Sequence, residues 1–124
     1  MKTDDLIAID THTHLEVSCR NPFDSYGEEF DRAADKYFRS SRRPTMQETI
    51  DFYREKKIGF VNFTVDAESQ QGRRRIPNEE IAEAALANPD IMIAFGSIDP
   101  HKGKMGGREA RKLVEEYGVK GFKF

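Results

Sequence analysis

Residues 76–100, IPNEEIAEAALANPDIMIAFGSIDP, carry a helix and a strand back to back, and their order decides the fold. Pro77 to Asn88 begins Pro-Asn-Glu-Glu, with acids where the positive end of a helix favours them. Ile81, Ala84 and Ala85 fall on one side of that helix, and Pro89 stops it. Ile91 to Ile98 (IMIAFGSI) follows as a continuous apolar run of strand length. Working outward, the same two patterns alternate. Strand-like runs occur at Leu6 to Asp10 (LIAID), Ile58 to Val65 (IGFVNFTV) and Val119 to Phe124 (VKGFKF). Thr45 to Lys57 opens with the capping pattern Thr45-x-x-Glu48 and places Met46, Ile50 and Tyr53 on one side. Arg108 to Tyr117 aligns Ala110, Leu113, Val114 and Tyr117 and ends at Gly118, a residue suited to the left-handed turn after a helix. The reading is strand-helix-strand-helix-strand-helix-strand. Three consecutive crossover units predict a parallel α/β sheet.

The exception is the long link from Thr11 to Pro44. Its middle, Gly27 to Arg39, sets Phe30, Ala33, Ala34, Tyr37 and Phe38 at helical spacing, with Asn21 to Tyr26 read as irregular loop. An inserted helix after the first strand is expected there, either as a cover over a site or as packing against outer helices.

Composition narrows the function classes. The 124 residues hold 20 Lys+Arg against 22 Asp+Glu, a net charge of -2, which lacks the clustered basic excess of nucleic-acid binders. Apolar runs stay far below the roughly 20 residues of a membrane helix. The opening MKTDDLIAID does not read as a signal peptide. With one cysteine, Cys19, no internal disulfide forms, and a cytoplasmic protein is expected.

The chemistry concentrates in Asp10-Thr11-His12-Thr13-His14, leaving the first strand. Strict alternation would turn His12 and His14 the same way as Asp10 and Ala8, leaving Ile7, Ile9 and Thr11 to meet the helices. Two imidazoles one strand repeat apart can reach a single metal ion, and neutral histidine suits Zn²⁺. The plain alternative is two exposed histidines on a polar loop. Parallel sheets and barrels keep their chemistry at the C-terminal ends of strands, where this pair lies.

IDTHTHL, residues 9–15, resembles the His-x-His signature of the amidohydrolase superfamily. Residues 76–103 (IPNEEIAEAALANPDIMIAFGSIDPHKG) and 110–124 (ARKLVEEYGVKGFKF) resemble the branch similar to aminocarboxymuconate-semialdehyde decarboxylase. The resemblance implies a metal-dependent (β/α)₈ TIM barrel in which His12 and His14 bind a divalent metal, with Zn²⁺ expected. The family's other ligands, a histidine from a middle strand and an aspartate from the last, would fall beyond Phe124. Since a full barrel takes about 250 residues, residues 1–124 are expected to be its N-terminal half, (βα)₃β. The implied activity is hydrolysis or non-oxidative decarboxylation of a small carboxylate or carbonyl substrate.

Other residues have two readings each. Asp10 is a candidate to orient a metal ligand, or a plain strand-end carboxylate. Lys123, near the end of the fourth strand, is a candidate to bind a substrate carboxylate, or a lysine in solvent. Arg73-Arg74-Arg75 reads as a solvated basic loop or an anion contact, and His101 as a loop or cap residue. Cys19 has no nucleophile signature.

The competing fold is a small open flavodoxin-like α/β module that binds a ligand or partner without catalysis. No glycine-rich phosphate loop follows the first strand, which argues against it. Strand order separates the two, 1-2-3-4 for a barrel segment and 2-1-3-4 for the open module. The half-barrel further implies a homo-oligomer, because a four-strand arc leaves two strand edges unpaired. The 124-residue chain alone is expected to be catalytically inert.

Overall fold

The structure, a computed structural model, describes residues 1–20, 25–39, 43–72 and 74–124. A short 3₁₀ turn at Thr3–Asp5 leads into β1 (Ala8–His14). Helices α1 (Ser25–Phe38) and α2 (Met46–Lys56) follow, then β2 (Ile58–Phe63), a one-turn α3 (Glu68–Gln71) and α4 (Asn78–Ala87). The chain continues through β3 (Met92–Ser97), α5 (Lys104–Glu115) and β4 (Gly121–Lys123). All three strand pairings are parallel and the order is β1-β2-β3-β4. A doubly wound sheet would reverse direction after its first pair, so the flavodoxin-like alternative is not favoured. Among the described residues no helix is long and apolar enough to cross a membrane.

Local chemistry accounts for the element ends. Thr45 accepts the Glu48 N–H while the Glu48 carboxylate accepts the Thr45 N–H, so the capping box on α2 forms in full. Helix α5 begins at Lys104, four residues before the periodicity suggested. Gly106 and Gly107 weaken the helical signal there. Yet a Cβ on Gly106 would lie 2.9 Å from Ile98 Cγ2, so the glycine is what lets α5 approach the end of β3. Ser25 and Tyr26, expected in loop, belong to α1; residues 21–24 of that expected loop lie outside the described residues.

One face of the sheet carries the core. Phe60, Met92 and Ala94 point at the helices, where Ile50, Ile81, Ala82 and Leu113 meet them. Burying each large apolar side chain contributes about 1.5–3 kcal/mol. Tyr53 of α2 stacks on Phe60 with ring centroids 4.5 Å apart. Two expectations fail on this point. Ile7 and Ile9 are exposed and do not meet the helices, and Val114 is half exposed on the outside of α5. Strand β1 turns Asp10 toward the helices, so Ile9, its neighbour, must face the other way.

Candidate metal centre

The C-terminal half of β1 departs from simple alternation. Asp10 pairs with Phe60 and Thr13 with Asn62, so three steps on β1 oppose two on β2. One extra residue is a β-bulge, which re-aims the side chains beyond it. Asp10 before the bulge and Thr13 after it both turn to the helix side. The Tyr53 hydroxyl donates to Asp10 Oδ2 at 2.7 Å. The Thr13 hydroxyl donates to the Val61 carbonyl at 2.8 Å and accepts from Asn62 Nδ2 at 2.9 Å.

His12 and His14 therefore share the opposite, open face. Their rings stack with centroids 5.1 Å apart and 28° between planes, and both rest against Phe63. Among the described residues neither ring makes a hydrogen bond. The His14 pKa is lowered by burial, then by the charges of His12 and Lys123, with Glu16 opposing. A neutral imidazole with an uncommitted nitrogen is the form that binds a metal ion.

Asp10 does not lie beside the histidine rings, because the bulge separates them. Its Oδ1 instead accepts the His12 backbone N–H at 3.0 Å. The Tyr53 hydrogen bond, ahead of the one from His12, holds the Asp10 carboxyl below its ordinary pKa. Burial, then the bond to Asp10, pushes the Tyr53 phenol up to about 12, so it remains a donor at neutral pH.

Lys123, on β4, pairs in register with Ser97 of β3. Phe122 packs toward the core, so Lys123 next to it points to the open face that His12 and His14 occupy. Two imidazoles and one ammonium thus share that face. The two histidines fit part of a metal site; among the described residues no third His, Cys, Asp or Glu joins them.

A second polar cluster, not anticipated from the sequence, fills the loops after β2 and β3. Asp66, with a fully buried side chain, contacts Arg75 Nη1 at 3.1 Å and Lys102 Nζ at 2.6 Å. Arg75 also pairs with Glu109 and Glu68, and Lys102 reaches Glu68 at 3.0 Å. Arg75 is therefore the centre of an ion network rather than part of a solvated loop; Arg73 lies outside the described residues. Burial by itself would raise the Asp66 pKa, but hydrogen bonds from Lys102 and the backbone, with the Arg75 charge, hold it lowered. Asp99 accepts the Ser69 hydroxyl and N–H and the His101 N–H, which depresses its pKa strongly. His101 Nδ1 sits 2.9 Å from Asp99 Oδ1; Asp99, not His101, caps the 3₁₀ turn Pro100–Lys102. Cys19 Sγ lies 3.0 Å from Glu80 Oε2, a bond that raises the thiol pKa, the reverse of an activated nucleophile.

A parallel sheet in sequential strand order, with a histidine pair on the open face where its first strand ends, has the layout of part of a (β/α)₈ barrel. The sequence profile described as amidohydrolase matches residues 9–124. The chain belongs to the amidohydrolase family. Neither the curated proteins nor the solved structures contain a significant match to it.

Proposed function

We propose that His12 and His14 are two of the protein ligands of a divalent metal, Zn²⁺, in an active site that hydrolyses a small carboxylate substrate at a carbonyl carbon. The observation that carries this reading is the stacked pair of imidazoles at the end of β1, with no ring nitrogen committed to a hydrogen bond among the described residues and Lys123 on the same face. A metal ion bound there supplies Lewis acidity and a water activated at neutral pH. The chain's own residues do the rest. Lys123 Nζ holds the substrate carboxylate, Phe63 backs both imidazoles and limits their rotation, and Asp10 fixes the backbone of His12. Non-oxidative decarboxylation of the same kind of substrate is the second reading, favoured by the resemblance of residues 76–103 and 110–124 to the decarboxylase branch.

The same reading makes residues 1–124 the (βα)₃β half of an eight-stranded barrel, with α1 as a helix inserted after β1. Two histidines fall short of the three protein ligands of a catalytic zinc site. The chain by itself should therefore bind metal without turnover. A Zn²⁺ titration of the protein, followed through histidine side-chain resonances, tests the ligands. Shifts of His12 and His14 at one equivalent are expected, and equal Zn²⁺ uptake by the His12→Ala/His14→Ala double variant would overturn the assignment.

The edges of β1 and β4 have no strand partner among the described residues, and Ile7, Ile9 and Phe124 are exposed beside them. This supports self-association of the chain into a homo-oligomer. Sedimentation equilibrium should give more than the monomer mass at micromolar concentration; a clean monomer there rejects the oligomer.

A further inference from the structure

Tyr53 lies on α2, behind the sheet and on the far side from the imidazoles, yet its hydroxyl is two hydrogen bonds from the backbone of His12. The route runs from Tyr53 Oη to Asp10 Oδ2, 2.7 Å, and from Asp10 Oδ1 to the His12 N–H, 3.0 Å. We infer that Tyr53 is a positioning residue for the histidine pair, acting through Asp10 to hold the bulge that turns His12 onto the open face. The inference rests on the metal reading of His12 and His14.

The need for such a device follows from the register. The bulge leaves Thr11 and His12 without partners on β2. A strand N–H released from the ladder has to find another acceptor, and an aspartate two residues back is well placed to supply one. An aspartate side chain near the surface rotates freely unless its second oxygen is also held. Tyr53 holds it, and Tyr53 is itself fixed by stacking on fully buried Phe60 and by the edge-on Phe52 ring at 5.5 Å. The orientation of a core aromatic is thereby passed to the backbone of a metal ligand. Without that hold, a slip of one residue would carry His12 to the wrong face of the sheet.

The Tyr53→Phe variant keeps the stacked ring and removes the hydroxyl alone. Two readouts test it on the protein: hydrogen exchange of the His12 amide without metal, and affinity for added Co²⁺ from its visible absorption. Tyr53→Phe should speed His12 exchange and weaken Co²⁺ binding by about tenfold, the usual scale for removing support behind a metal ligand. Asp10→Ala should do the same. Asp10→Asn should retain near wild-type behaviour, because its amide oxygen still accepts the His12 N–H and its NH₂ can donate to Tyr53. The Tyr53→Phe/Asp10→Ala pair should be no worse than Asp10→Ala alone. A Tyr53→Phe protein that loses thermal stability but keeps His12 exchange and Co²⁺ affinity overturns the inference, as does additivity in the double variant. Absence of histidine-dependent Co²⁺ binding in the wild type would instead remove the metal reading. His12 exchange would then still decide whether Tyr53 and Asp10 hold the bulge.

Discussion

Two polar clusters sit at the C-terminal ends of the strands, and they are built on opposite terms. After β2 and β3, Asp66, Glu68, Arg75, Lys102 and Glu109 pair with one another, and Asp66 is sealed from solvent. After β1, His12 and His14 are exposed and, among the described residues, commit no ring nitrogen to a hydrogen bond. The first cluster pairs its charges with each other across the loops, tying α3 and α5 to the rim, although the buried Arg75 Nε finds no acceptor among the described residues. The second keeps its lone pairs available and is held from behind, through Asp10, Thr13 and Phe63. Polar residues at a strand end are thus not equally informative about function. What separates the two clusters is whether the groups already satisfy one another.

The comparison can be broken most directly at Arg75. Replacing it with methionine leaves the buried Asp66 carboxylate to Lys102 alone and should cost about 3 kcal/mol, the low end of the scale for removing one partner of a buried pair. His12→Ala, at the other cluster, should change stability by less than about 1 kcal/mol, as exposed positions do. Urea denaturation of both variants checks the contrast, and similar losses at the two sites would erase the distinction.

A subtler difference appears in pH dependence. The Asp66 and Glu68 pKa values are lowered in the folded chain, so over that acid range the unfolded state binds more protons and stability rises with pH. Their contribution is complete above the ordinary carboxylate range, about 3.9–4.3, and is lost as pH falls through the depressed folded values. The Lys102 pKa is raised in spite of burial, by its bonds to Asp66 and Glu68. Its contribution is present below about 10.4 and fades as pH rises through the folded value. Denaturation midpoints between pH 2 and 6 (about four units) should fall with acid. The fall should be shallower in Arg75→Met, where Asp66 has lost one of its cations. An unchanged acid slope would show that the network does not govern it.

Much of this arrangement was legible in the chain. Helix α2 has the expected cap and buries Met46 and Ile50, and α4 buries Ile81, because periodicity and capping act within a few residues. The histidine pair was visible as His-x-His, and its common face survives in the fold. Alternation misled at Asp10, Ile7 and Ile9. A bulge inserts a residue relative to the partner strand, and the partner's spacing is not written in β1 itself. Arg75 was misread for a related reason. Its partner Glu109 lies far along the chain, and a run of arginines looks solvated until the fold brings the acids to it.

By itself, then, the sequence determined the alternation of strands and helices, the faces of the helices and the presence of two metal-suited imidazoles at a strand end. These depend on local spacing and on the chemistry of single side chains. Only the tertiary structure decided strand order, the phase of β1 beyond its bulge, the Tyr53–Asp10 support behind His12 and the pairing of the buried charges. Each of those is set by which distant backbone or side chain satisfies a given hydrogen-bonding group, and that choice is made when the sheet assembles.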